Sequence, residues 1–160
     1  MMGLYLDEVE VGLAIELGSY AFTRENIIAF ARKYDPQDFH LDEEAAKRGP
    51  FGKLTASGWH TAAGWMKNFV AANHRAEAAI RAAGREPVPV GPSPGFTNLV
   101  WHIPVCPGDT ITYWTRVTGK RELATRPEWG MVFSISEGFN QNGELVYSFD
   151  GKVLSPRRPA

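Results

Sequence analysis

The spacing of apolar positions changes period twice along this chain, and each change marks a different kind of element. "AIELGSYAFT" (14–23) has strand character. From Thr23 onward the period lengthens: Ile27, Phe30, Ala31 and Tyr34 recur at i, i+3, i+4 and i+7, with Arg24, Glu25, Arg32 and Lys33 on the other side. Thr23 stands at the N-cap and Glu25 in the first turn, which predicts a short amphipathic helix. It stops near Tyr34, because Pro36 disfavours the helical region for Asp35.

A further turn or two of helix is expected in "DEEAAKRG" (42–49), capped by Asp42 and ended by Gly49. After the turn "GPFG" (49–52), the longest helical pattern begins around Ser57. Trp59, Ala62, Ala63, Met66 and Val70 share one face with Phe69 at its flank, while His60, Thr61, Lys67 and Asn68 lie off it. Run unbroken from 58 to 83, this helix would be about 39 Å long, so a break near Asn73 or His74 is expected. "REPVPVGPSPG" (85–95) holds four prolines and reads as an internal loop.

Beyond Phe96 the period falls to two. Thr97, Leu99, Trp101 and Ile103 alternate with Asn98, Val100 and His102, and "CPGD" (106–109) turns the chain into "TITYWTRVTGK". Met131, Phe133, Ile135 and Phe139 mark the next strand and Leu145, Tyr147, Phe149 and Val153 the last, joined through the hairpin signal Asn142-Gly143. Long antiparallel strands with one apolar face each need a cover, and the Trp59 helix is the candidate. The expected architecture is α+β: a curved antiparallel sheet around a long central helix, with residues 1–160 as a single domain.

Composition narrows the function classes. Hydrophobic residues make up 44% and charged residues 22%, as in ordinary globular chains. Seventeen Lys and Arg face eighteen Asp and Glu without long like-charged runs, so the electrostatic footprint of a nucleic-acid binder is missing. The N-terminus has neither a basic start nor a long apolar stretch, and no segment reaches a membrane-spanning length, so a soluble cytoplasmic protein is the expectation. Cys106 reads as a small buried hydrophobe, and the tail "SPRRPA" (155–160) as a frayed end. No zinc-type spacing or HExxH occurs, so no metal site is expected.

The candidate chemistry lies in "YDPQDFH" (34–40). Asp35 and His40 flank a proline-bearing loop that lets both side chains turn to one point, where a carboxylate and an imidazole offer paired proton-handling groups. The plainer alternative makes Asp35 a turn cap and His40 a satisfied polar loop residue. Eighteen residues further on, "TASGWHT" (55–61) sets Ser57 and Gly58 at the start of the long helix, where unpaired backbone N–H groups and the helix dipole suit an enolate oxygen. Glycine there would let a substrate atom approach closely. His60 and His74 read as surface or packing residues, His102 as a sheet-face residue, and Trp59, Trp101, Trp114 and Tyr113 as core or dimer contacts.

The run "YDPQDFHLDEEAAKRGPFGKLTASGWHTA" resembles the hydratase motif of the MaoC-like acyl dehydratases, the hot-dog-fold family that includes (R)-specific enoyl-CoA hydratases. The family's Asp, four residues, His, and then a helix opening on glycine fall on Asp35, His40 and Gly58; "IPVCPGDTI" (103–111) resembles its strand–turn–strand element. The family commonly has Asp-x-Asn-Pro-aliphatic-His, whereas here Pro36 comes two places early, Phe39 replaces the aliphatic residue and Gln37 can supply the amide of the asparagine. Ser57 stands where many relatives have histidine. The resemblance implies a hydro-lyase that adds water to, or removes it from, the α,β double bond of an enoyl thioester. It makes His40 the general base and Asp35 the group that orients water and passes a proton to the α-carbon, with the reverse division open. The Gly58 amide, beside Ser57 and Gln37, holds the enolate. It implies an acyl-CoA or acyl-carrier thioester as partner, no cofactor beyond the coenzyme A of the substrate, and a homodimer or higher homo-oligomer. A hot-dog thioesterase and a non-catalytic acyl-CoA-binding protein are the alternatives; against the first, the long helix has no Asp or Glu before Glu77.

Overall fold

The computed structural model describes residues 2–159. Strand β1 (Ala14–Ala21) leads through Thr23 into helix α1 (Arg24–Tyr34), and two short helices follow, α2 (Asp38–Leu41) and α3 (Glu43–Lys47). The long helix α4 (Gly58–Ala82) precedes β2 (Gly95–Trp101), β3 (Thr110–Glu122), β4 (Trp129–Phe139) and β5 (Leu145–Pro156). The strands form one antiparallel sheet in the order β1-β3-β4-β5-β2, with α4 packed on one side of it. This is the α+β hot-dog arrangement.

Local chemistry sets the boundaries. Thr23 Oγ1 accepts from the Asn26 N–H to open α1, and the Asp42 carboxylate accepts from Ala45 N–H to open α3. The β4–β5 turn is tied by the Asn140 side chain, whose Oδ1 accepts from the N–H groups of Asn142 and Glu144, while Gly143 takes φ +79°. In "CPGD" the Asp109 carboxylate accepts from Cys106 N–H and Gly108 takes φ +95°.

The structure corrects four sequence expectations. Helix α4 does not break near Asn73 or His74: it runs 25 residues, about 37 Å. Its distal half is held because Arg75 donates to the Leu17 carbonyl and Ala72 is buried, and beyond it the 85–95 loop docks on the N-terminal arm through Val88 N–H to Gly3 O. The tail is not frayed at Arg157 and Arg158, which are paired with Glu122 and with Asp7 and Glu8 respectively; Ala160 lies outside the described residues. Cys106 is only partly buried.

The fourth correction concerns which face of α4 is inside. His60, Thr61, Gly64 and Ala72 are buried, whereas Trp59, Met66 and Val70 are 53%, 51% and 43% exposed. The sheet demands this. Tyr113 comes so close that a Cβ at Gly64 would stand 2.7 Å from its hydroxyl, which donates to the Thr61 carbonyl. Bulky side chains would hold the helix off the sheet. The same logic puts Val132, Ser136 and Gly138 of β4 in the core and leaves Met131, Phe133 and Ile135 half-buried. Among the described residues no helix is long and apolar enough to cross a membrane.

Candidate active site

Asp35 is the C-cap of α1, its own N–H bonded to the Ala31 carbonyl before Pro36 turns the chain away. The next turn, α2, carries His40 back beneath it. His40 is buried at 5% exposure, and its Nδ1 lies 2.7 Å from the Thr55 carbonyl oxygen. A carbonyl can only accept, so Nδ1 carries the proton and Nε2 keeps its lone pair in the neutral ring. Nε2 is aimed at Asp35, 3.6 Å from Oδ2. The two side chains that the sequence paired therefore converge.

Ser57 and Gln37 sit on the same carboxylate. Gln37 Nε2 donates to Asp35 Oδ1 at 2.8 Å, and the almost wholly buried Ser57 side chain lines the same cavity and favours the charged carboxylate. Burial alone would raise the Asp35 pKa, but the Ser57 and Gln37 side chains and the neighbouring His40 outweigh it and hold the carboxyl below its ordinary value. Asp35 is thus ionised at neutral pH. Ser57 also caps α4, where its Oγ accepts from Trp59 N–H.

Gly58 is the first residue of α4, where an N–H has no acceptor within the helix and the dipole is positive. Asp35, Gln37, His40, Ser57 and Gly58 all line one cavity of about 380 Å³. Its walls are Phe39, Phe51, Trp59, Trp101 and Ile103. Trp59 also borders a second, more apolar cavity of about 340 Å³ between α4 and the sheet, reached by Trp65, Phe69, Tyr147 and Phe149.

Two contributors lay beyond the reach of sequence patterns. Thr55 acts through its backbone carbonyl, which leaves no mark in residue type. Trp101 reaches the start of α4 across a strand bulge that alternation alone does not reveal. The other histidines stand apart from the cavity. His102 Nε2 meets Ser148 Oγ at 2.8 Å on the sheet, and His60 is packed among aromatic rings.

Comparisons with known proteins bear on the family and the fold. The family model described as "MaoC like domain" matches residues 10–130. A MaoC-like dehydratase from Rhodospirillum rubrum is 34% identical, with 98% of this chain and 99% of that one covered and a TM-score of 0.76. The uncharacterized protein YdeM of Bacillus subtilis (strain 168) is 28% identical over 95% of this chain and 99% of its own. The unliganded (R)-hydratase PhaJ1 from Pseudomonas aeruginosa shares the fold, with a TM-score of 0.67 at 24% identity, over 96% of this chain and 86% of that one.

Proposed function

Because the chain belongs to the MaoC-like dehydratase family, we propose that it adds water across, or removes it from, the α,β double bond of an acyl thioester carried on coenzyme A or an acyl carrier protein. One observation carries the reading: His40 Nε2 and Asp35 Oδ2 stand 3.6 Å apart while Nδ1 is already committed to Thr55. Neutral imidazole and carboxylate are both acceptors here, so neither satisfies the other. A water that donates one proton to each does.

In the hydration direction, the water oxygen bonds to the β-carbon as His40 Nε2 takes one of its protons. The π pair moves to the thioester oxygen, and the Gly58 N–H stabilises the resulting enolate. The imidazolium then returns its proton to the α-carbon, giving the 3-hydroxyacyl thioester. Asp35 remains anionic throughout, since its hydrogen bonds favour the charged form; it orients the water and stabilises the imidazolium. Gln37 holds that carboxylate through its amide, and Ser57 lines the cavity beside it at the opening of α4. The acyl chain extends past Trp59 into the second cavity, whose walls are almost wholly apolar.

The same reading puts a second copy of the chain over the outward face of α4. Trp59 and Met66 there adjoin Phe96 and Trp101 of the edge strand β2, an exposed apolar surface beside unpaired strand groups.

The test is to incubate the protein with crotonyl-CoA and longer enoyl-CoAs and follow loss of the conjugated double bond and release of free thiol separately. Double-bond loss that falls by about 10²–10⁴-fold in Asp35→Asn and His40→Gln supports the proposal. Thiol release without hydration would show a thioesterase instead, and binding without either reaction an acyl-CoA-binding protein.

A further inference from the structure

The direction in which any side chain at position 58 would point is already filled. A Cβ on Gly58 would collide with Cε2 of the Trp101 indole and stand 2.7 Å from its Cδ2 and Nε1. The indole lies against the Gly58 α-carbon, and from there its Nε1–H donates to the Gly58 carbonyl at 2.9 Å. Its ring meets Trp59 edge-on, with centroids 5.4 Å apart. Glycine at the head of α4 thus accommodates a protein side chain, which is a different demand from admitting a substrate atom.

Trp101 reaches this place through a defect in β2. Thr97 is paired with Asp150, yet Trp101 is paired with Tyr147, so the register shifts between Thr97 and Val100. Asp150 and Tyr147 lie on opposite faces of β5, and the shift therefore turns Thr97 away from α4 and Trp101 towards it. Asn98, at φ +53°, absorbs the extra residue, and its side-chain amide donates to Asp150 Oδ2 at 2.6 Å. A strand of regular alternation would have presented Trp101 to the face that carries Thr97.

We infer that Trp101 is a positioning residue for the Gly58 amide: the indole clamps the first residue of α4 from the β2 side, while Ser57 fixes the same turn from within. Only the kinetic form of the test rests on the hydratase reading. Helix first turns lack the hydrogen bonds that restrain later ones, so an amide that must meet developing charge needs an external brace.

The experiment is a double-mutant cycle on the full chain with Gly58→Ala and Trp101→Ala, together with Trp101→Phe, which keeps a flat ring and loses the N–H. Each variant is checked by circular dichroism and thermal unfolding. Trp101→Phe is expected to lower kcat about 5-fold with KM changed less than about 2-fold, a split that loss of general stability does not produce. Gly58→Ala is expected to cost about 100-fold in kcat in the wild-type background but less than about 3-fold on top of Trp101→Ala, because the collision is then gone. An equal cost in both backgrounds overturns the inference and makes the glycine a requirement of the substrate. Should the wild-type protein hydrate no enoyl thioester, the functional reading fails, and the inference is then decided on the free ¹⁵N-labelled protein. A lowered backbone order parameter at the Gly58 amide in Trp101→Phe supports it, and an unchanged one overturns it.

Discussion

Replacing His60 by phenylalanine should remove most of the acid sensitivity of this fold between neutral pH and about pH 5. The imidazole is 4% exposed, stacked on Phe30 with ring centroids 4.5 Å apart and met edge-on by Phe22 and Tyr20. Its Nε2 lies 3.3 Å from the Tyr20 hydroxyl, and its buried Nδ1 has no hydrogen-bond partner. The Lys67 ammonium sits over the Tyr20 ring that packs on His60. Burial therefore lowers the His60 pKa from 6.5 to about 4. The unfolded chain binds the proton more readily than the folded one, so acid favours unfolding. The stability tied to the neutral ring is fully present above the unfolded value and is lost as pH falls through it towards the folded one. A fall from 6.5 to about 4 corresponds to about 3 kcal/mol in total, of which about 2 kcal/mol is gone by about pH 5. Urea unfolding curves at several pH values, for wild type and His60→Phe, measure this directly. The difference between the two proteins should grow by about 2 kcal/mol between about pH 7 and about pH 5. Parallel curves would show that the ring is not held neutral in the core, and the argument from its aromatic surroundings would be wrong.

Gly64→Ala should destabilise the protein by about 2 kcal/mol, since the new methyl would stand 2.7 Å from the Tyr113 hydroxyl and break its bond to Thr61; denaturant unfolding reads this, and a change near zero would contradict the close packing of α4 on β3. Met66→Glu, which places a charge in the exposed stripe of α4, should shift the protein towards monomer in sedimentation experiments while leaving its dichroism spectrum unchanged. A wild-type protein that is already monomeric would refute the idea that a second copy covers this face.

The dyad was legible in the sequence because its geometry depends on local chemistry. Pro36 ends α1 at Asp35 and a single turn of helix returns His40, so the meeting of the two side chains depends on the chain between them alone. Cap residues were legible for the same reason: Thr23 and Asp42 each act within three residues of themselves. The roles of Thr55 and Trp101 were hidden, because each depends on a segment distant in sequence. The hydrogen bond that sets the His40 tautomer spans fifteen positions, and the one that braces Gly58 spans forty-three.

The misassigned face of α4 has a more general cause. Periodicity identifies an apolar stripe, but burial does not follow from apolarity alone, because the hydrophobic effect specifies no partner. Here two demands compete for one helix. The sheet requires close approach, met by Thr61, Gly64 and Ala72, and the larger apolar residues Trp59, Met66 and Val70 are thereby turned outward. The amide at Gly58 lies where these demands meet, with Trp101 resting on it from the free sheet edge and Trp59 beside it on the exposed stripe. On the proposed function, a second copy covering that stripe would bear on the wall of the cavity holding Asp35 and His40, through the Trp59 and Trp101 indoles that line it.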